Sequence, residues 1–378
     1  MKKKIVMNVC AKHPAFDGRV YDKISRTLIK CGYEVHNTSP NIVSQQTNDK
    51  IFLHGFQQKN GMIERIKSLY RLKKIIQEVN PDSMICHEPD ALFIAYKYYK
   101  KEKRKRLVRL IFDCHEAYEH WFDNVTRCKT INTMIGKILM FTINQVVKKI
   151  DAVTSVNNTM TERFKKYNRN SFFLPSVYKL DNTWNYISNQ NTDLVYMGSF
   201  GKSKQAEMFI GAAKILKEKG ILAKIAIIGG SRPDEKNSNS FEAVVEKEGL
   251  EEYFDYLGWL KREEAFNKLG EYGVGIMRFD SYTMPGNYAM PNKLFEYMSY
   301  GLAILCCGLN IELKAIIEKY KCGVVIESET AEALAEAIIY IKNNPQAIEN
   351  MKNNSYMATI EEYNWQNYEQ LLKHIIEG

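Results

Sequence analysis

The 378 residues fit two domains of ordinary size better than one, and 45% apolar residues suffice to fill two cores. No run is long enough to span a bilayer, and the charged start over 1–6 leads into no long apolar region, so no secretory signal is expected. The net charge of +9 is unevenly divided: residues 1–180 hold 33 Lys/Arg against 16 Asp/Glu, and the remainder holds 20 against 28. A cationic half of that size points to an anionic partner: membrane lipid, a phosphorylated acceptor or nucleic acid. The eight cysteines form no Cys-x-x-Cys pair and several sit in apolar runs, which suits a reduced, cytosolic compartment.

In chain order, apolar periodicity predicts a strand over 5–9, a helix over 18–31 closed by Gly32, and a strand over 33–38. A helix over 62–79 follows, with Ile63, Ile66, Leu69, Leu72, Ile75 and Ile76 at helical spacing. Strands at 83–86, 107–113 and 152–155 and a long helix over 131–149 complete the first half. The second half alternates more cleanly. Strands are expected at 193–197, 224–228, 254–257, 273–277, 302–306 and 323–326. Helices are expected at 203–219, 240–249, 262–269, 292–300, 311–319 and 330–343. Such alternation implies parallel sheets covered on both faces. The fold class is therefore α/β, with two doubly wound Rossmann-like domains facing a cleft. The expected boundaries are 1–178, 190–345 and a helical tail over 346–378. Gly-x-Gly-x-x-Gly and Walker A are absent, against dinucleotide oxidoreductases and P-loop NTPases.

The most informative stretch runs from Pro291 through Asn292, Lys293 and Glu296 to Gly301. A helix start with free N–H groups and a cation beside them makes a diphosphate site. A carboxylate one turn on suits the vicinal hydroxyls of a ribose. Other candidates lie at strand ends, where ligands bind in parallel sheets. His87 and His115 each follow a strand in the first half. Gly198 ends a strand before Lys202 and Lys204, and Gly229 ends the next. Gly18 offers close backbone approach, and Arg19 a cation for a phosphate or an acceptor group. The bland reading there is a helix start with Asp17 as its cap. The basic run 97–106, with interleaved tyrosines, suits a lipid headgroup surface as well as single-stranded nucleic acid. No nucleic-acid-binding motif supports the latter, and none is expected as partner.

Residues 290–305 resemble the second acidic segment of retaining glycosyltransferases of family 4, which have the GT-B architecture. The resemblance covers nearly the whole chain and is strongest in its second half. It implies a sugar transferred, with retention, from a nucleotide-diphosphate sugar to a saccharide or lipid-linked acceptor in cell-surface polysaccharide synthesis; a UDP-sugar is favoured. It implies His115 beside the reacting carbon, Glu296 holding the ribose, and Gly198, Lys202, Lys204, Gly229, Asn292 and Lys293 at the nucleotide. It places Gly18, Arg19 and His87 on the acceptor or phosphate side, and brings the final helix, with Trp365, back onto the first domain. The family carries a second Glu eight positions before Glu296, and here Tyr288 stands there. No Asp-x-Asp pair occurs, so no metal or other cofactor is expected. Helix N-termini and lysines would neutralise the leaving diphosphate. The expected location is the cytoplasm, peripheral to the inner face of the membrane. The rival readings are a nucleotide-sugar epimerase or hydrolase on the same architecture, and a catalytically silent nucleotide-sugar-binding scaffold subunit.

Overall fold

A computed structural model describes residues 3–59, 61–120, 129–180, 191–200, 205–231, 240–279 and 289–378. The chain divides into two compact units, Met1–Ser176 with Trp365–Gly378, and Val177–Asn364.

The first unit is built on strands β1 (Ile5–Val9), β2 (Glu34–Pro40), β3 (Gln45–Gln46), β4 (Phe52–Phe56), β5 (Ser83–Cys86), β6 (Arg109–Cys114), β7 (Ala152–Ser155) and β8 (Ser171–Phe173). They form one sheet in the order β3-β4-β2-β1-β5-β6-β7-β8, parallel except for β3 against β4. Its helices include α1 (Arg26–Lys30), α2 (Met62–Val79), α3 (Pro89–Glu102), α4 (Lys129–Val147) and α5 (Asn158–Lys165). A π-helical turn, Val20–Ser25, leads into α1, where a single helix over 18–31 was expected. Strands β3, β4 and β8 have no counterpart in the sequence reading. β4 contains His54 and Gly55, which blur its alternation, and a Cβ on Gly55 would run into the Ile42 carbonyl.

The second unit carries β9 (Leu194–Ser199), β10 (Ile225–Gly230), β11 (Phe254–Gly258), β12 (Val274–Arg278), β13 (Ala303–Cys307) and β14 (Gly323–Ile326). All are parallel, in the order β11-β10-β9-β12-β13-β14. Helices α6 (Gln205–Glu218), α7 (Phe241–Lys247), α8 (Arg262–Leu269), α9 (Asn292–Ser299), α10 (Ile311–Tyr320), α11 (Ala331–Asn343) and α12 (Pro345–Glu361) alternate with them. The strands are near-continuous apolar runs because both faces are covered. Residues 345–361 belong to this unit, so the expected tail over 346–378 is divided. Only its last helix, α13 (Trp365–Glu377), belongs to the first unit. There Trp365 is fully buried and its indole N–H donates to Thr27 Oγ1 at 2.9 Å. Among the described residues no helix is long and apolar enough to cross a membrane.

Candidate functional site

Each unit gathers polar groups at the carboxyl ends of its central strands. In the first unit the cluster is centred on Asp113, near the end of β6 and fully buried. Arg19 grips it with two bonds, Nε to Oδ2 at 2.9 Å and Nη2 to Oδ1 at 2.7 Å. Thr154 on β7 donates to Oδ1 at 2.6 Å. His87 Nδ1 and His115 Nε2 lie 3.1 and 2.7 Å from Oδ2. Burial opposes the charge on Asp113, but Arg19 and the two histidines outweigh it and hold its pKa well below the usual carboxylate range. Burial pulls the pKa of both His87 and His115 down against the pull of Asp113.

Glu88, at the start of α3, anchors the loop after β1 by accepting the backbone N–H groups of Ala11, Lys12 and His13. His13 is thereby held with its ring 4.9 Å from that of His115. Burial opposes protonation of His13, but its contact with Asp17 and the nearby carboxylates raise its pKa. Asp17 also accepts the N–H groups of Arg19 and Val20, both at 2.8 Å, which is the capping role the sequence suggests. Gly18 does not adopt positive φ. The free-cation role expected of Arg19 is corrected: its guanidinium is committed to Asp113, and only Nη1 lacks a partner. His13, Glu88 and Asp113 escaped the sequence reading. The signal for Asp113 was its place two residues before His115, inside a strand that otherwise reads as apolar.

His87, Asp113 and His115 present ligand atoms within 4.8 Å of one another, a spacing that would suit a metal ion. Asp113 is already shared between a guanidinium and a hydroxyl, and a dication would sit beside Arg19. Hydrogen bonding accounts for the spacing.

In the second unit the site is formed where β9 and β10 end in glycines. Gly198, Gly229 and Gly230 have φ of 152°, 108° and 85°. A Cβ on Gly198 would overlap the Lys293 ammonium, and one on Gly229 would meet the Gly198 backbone. Helix α9 is tied to these strands by Tyr297: the Met197 N–H donates to its hydroxyl at 2.9 Å, and that hydroxyl reaches the Ile276 carbonyl at 3.4 Å. Gly275 makes this possible, since a Cβ there would strike the Tyr297 ring. Lys293, in the first turn of α9, lies over the Tyr196 ring at 5.3 Å. Burial lowers its pKa, against the attraction of Glu296. Among the described residues no acceptor lies within hydrogen-bonding distance of its ammonium. Asn292 is exposed at the helix start, and Glu296 is half-buried one turn further on. The structure thus brings Gly198, Gly229 and Lys293 together. Lys202, Lys204 and Tyr288 lie outside the described residues.

Residues 185–357 match the family model described as glycosyl transferases group 1. The chain is 22% identical over 355 residues, 83% of its length and 80% of the relative's, to an uncharacterized glycosyltransferase of Methanocaldococcus jannaschii. It is 21% identical over 353 residues, 90% of each chain, to one of Haemophilus influenzae. Among solved structures, sucrose-phosphate synthase from Thermosynechococcus elongatus aligns with a TM-score of 0.73 at 13% identity, covering 100% of this chain and 98% of that one. Anabaena HepE in complex with UDP and glucose aligns at 0.69 and 12%, covering 100% of both. The fold is that of the GT-B glycosyltransferases.

Proposed function

We propose that this protein is a metal-independent, retaining glycosyltransferase of family 4 that moves a hexose from a nucleotide-diphosphate sugar to a saccharide or lipid-linked acceptor in cell-surface polysaccharide synthesis. The observation that carries the reading is the Lys293 ammonium: it is packed against Gly198 at a helix start, and Glu296 attracts it without an ion pair between the two among the described contacts. A cation placed beside free helical N–H groups is a receptor for a diphosphate. The strand-end glycines permit this close packing, because a Cβ on Gly198 would overlap the Lys293 ammonium and one on Gly229 the Gly198 backbone. Glu296 supplies a carboxylate for the ribose. A uridine nucleotide is favoured because Anabaena HepE has been solved with UDP and with UDP-glucose.

In this reading the leaving diphosphate is stabilised by Lys293 and the α9 N-terminus, electrostatic work that needs no metal. His115 acts at the sugar. The cationic first half, with its exposed lysines on α3, attaches the protein peripherally to an anionic membrane carrying the acceptor.

The test is thermal unfolding with a panel of nucleotide sugars, followed by product analysis. A UDP-sugar should raise the unfolding temperature, as any ligand of the native state does, and a product one sugar longer should form with an acceptor extract. An epimerised or hydrolysed donor as the sole product would replace transfer by one of its rivals. Protection without any turnover would leave a scaffold, and no protection by any nucleotide would end the reading.

A further inference from the structure

The Asp113 cluster determines where the protons on its histidines reside. Asp113 is fully buried and takes Arg19 on both oxygens and Thr154 on one, so it is an ionised, accept-only group. A nitrogen 2.7 Å from Oδ2 must therefore carry a hydrogen, and that nitrogen is His115 Nε2. His87 does not compete for the role. Its Nε2 lies 3.1 Å from Asn8 Oδ1. The Asn8 amide donates to Ser25 Oγ and Asn37 Oδ1 at 3.0 and 2.9 Å, which leaves its carbonyl oxygen to accept from His87. A neutral His87 then presents an Nδ1 lone pair 3.1 Å from Asp113 Oδ2 and 3.3 Å from His115 Nε2, and the shorter 2.7 Å contact makes the His115 N–H the hydrogen that bridges these two acceptors. Two acceptors, Asp113 Oδ2 and His87 Nδ1, converge on one N–H.

We propose that Asp113, clamped by Arg19 and flanked by His87, is a positioning residue that locks His115 as its Nε2–H tautomer and so offers the Nδ1 lone pair to a substrate hydroxyl. The His115 side chain is 13% exposed, and among the described residues no donor reaches its Nδ1. A second proton on His115 would add a cation beside Arg19 and His13. Burial also disfavours that proton, while Asp113 alone among the neighbours favours it. His13 is paired with Asp17 and lies 3.8 Å from Glu88, so the positive partner in this histidine pair is His13 and the neutral one is His115. An acceptor at that point recognises a hydroxyl and has no hydrogen to give a phosphate or carboxylate. The substrate half of this inference rests on the glycosyltransferase reading; the tautomer half does not.

The test uses the full-length protein with 15N-labelled histidine. Long-range 1H–15N spectra near pH 7.5 separate a protonated ring nitrogen from an unprotonated one, and the His115 signals are identified by their loss in His115→Ala. The expected result is a protonated Nε2 and an unprotonated Nδ1. An Nδ1–H tautomer, or a doubly protonated ring, would overturn the proposal. Asp113→Asn should release the lock, mixing the tautomers and lowering kcat about tenfold or more with little change in donor KM. A folded Asp113→Asn protein with an unchanged His115 spectrum would equally overturn it. Because that variant also leaves Arg19 unpaired, the wild-type spectrum stands as a test by itself. The expected tautomer in a protein that turns over no nucleotide sugar would support the positioning role and remove the transferase reading.

Discussion

The Lys293 ammonium occupies the space that a side chain on Gly198 would fill. Gly198→Ala should therefore push a flexible lysine aside, at a site where φ is already positive, while leaving the β9 ladder in place. Charge-assisted contacts are worth about 1.5–3 kcal/mol, so nucleotide affinity should fall about tenfold or more, as it should in Lys293→Ala and Glu296→Ala. Calorimetry with UDP checks all three. Unchanged affinity in the Glu296 variant would remove the ribose contact from the site.

Arg19 and Asp113 form a buried pair with side chains 6% and 0% exposed. Removing one partner of such a pair leaves a stranded charge, at a cost of about 3–5 kcal/mol. Arg19→Met should lower the denaturant midpoint accordingly. A midpoint equal to wild type would show that solvent reaches Asp113.

Acid should destabilise the protein in two stages. Burial, with a smaller push from His36, lowers the pKa of His54 to about 4 from 6.5. The unfolded chain then binds more protons than the native one in that window, so stability falls as pH drops from about 6.5 to 4. His87 and His115 act in the same direction. His13, whose pKa is raised, opposes them weakly by favouring the native state below neutrality. Below pH 4 the loss continues through Asp113 and Asp17, both depressed. Thermal unfolding across pH 3–8 measures this, and His54→Gln should flatten the limb between 6.5 and 4. A stability maximum near pH 5 would contradict the assignment.

Chelation should leave turnover intact, because lysine and helix N–H groups are the proposed partners of the diphosphate. Turnover lost in EDTA and restored by Mn²⁺ or Mg²⁺ would reverse that view.

Attachment to anionic liposomes should depend on α3, but on fewer of its residues than the run 97–106 suggests. Arg106 is bound to Asp82 at 3.0 Å and to the Asn80–Pro81 turn, Lys103 faces Asp151 at 3.5 Å, and Tyr98 and Tyr99 are buried in the core. Lys105 is exposed but lies 3.4 Å from Glu102, and Lys97, Lys100, Lys101 and Arg104 are exposed with no ion pair among the described contacts. The neighbouring α4 adds exposed Met134, Ile138 and Phe141. Each cation near the surface adds about 1 kcal/mol. Replacing those four with Ser should weaken sedimentation with phosphatidylglycerol vesicles, and salt should weaken it further. Indifference to such vesicles at low salt would favour a soluble acceptor.

Local chemistry made much of this protein legible from sequence. The apolar runs of β5, β7 and β14 and the periodicity of α2 and α8 were read at their observed bounds, because burial on both faces or on one helical stripe writes itself into consecutive residues. The start of α9 and the glycines at 198 and 229 were legible for the same reason, since a helix start and a turn need particular residues in place. Tertiary structure alone decided the rest. Arg19 meets Asp113 across 94 residues, and Glu88 reaches Ala11 across 77. No periodicity encodes such pairs: an isolated Arg looks like a free cation until the fold brings a buried carboxylate to it. The boundary before Trp365 was hidden likewise, because 346–378 reads as one helical tail and only the packing of α12 and α13 assigns them to different units.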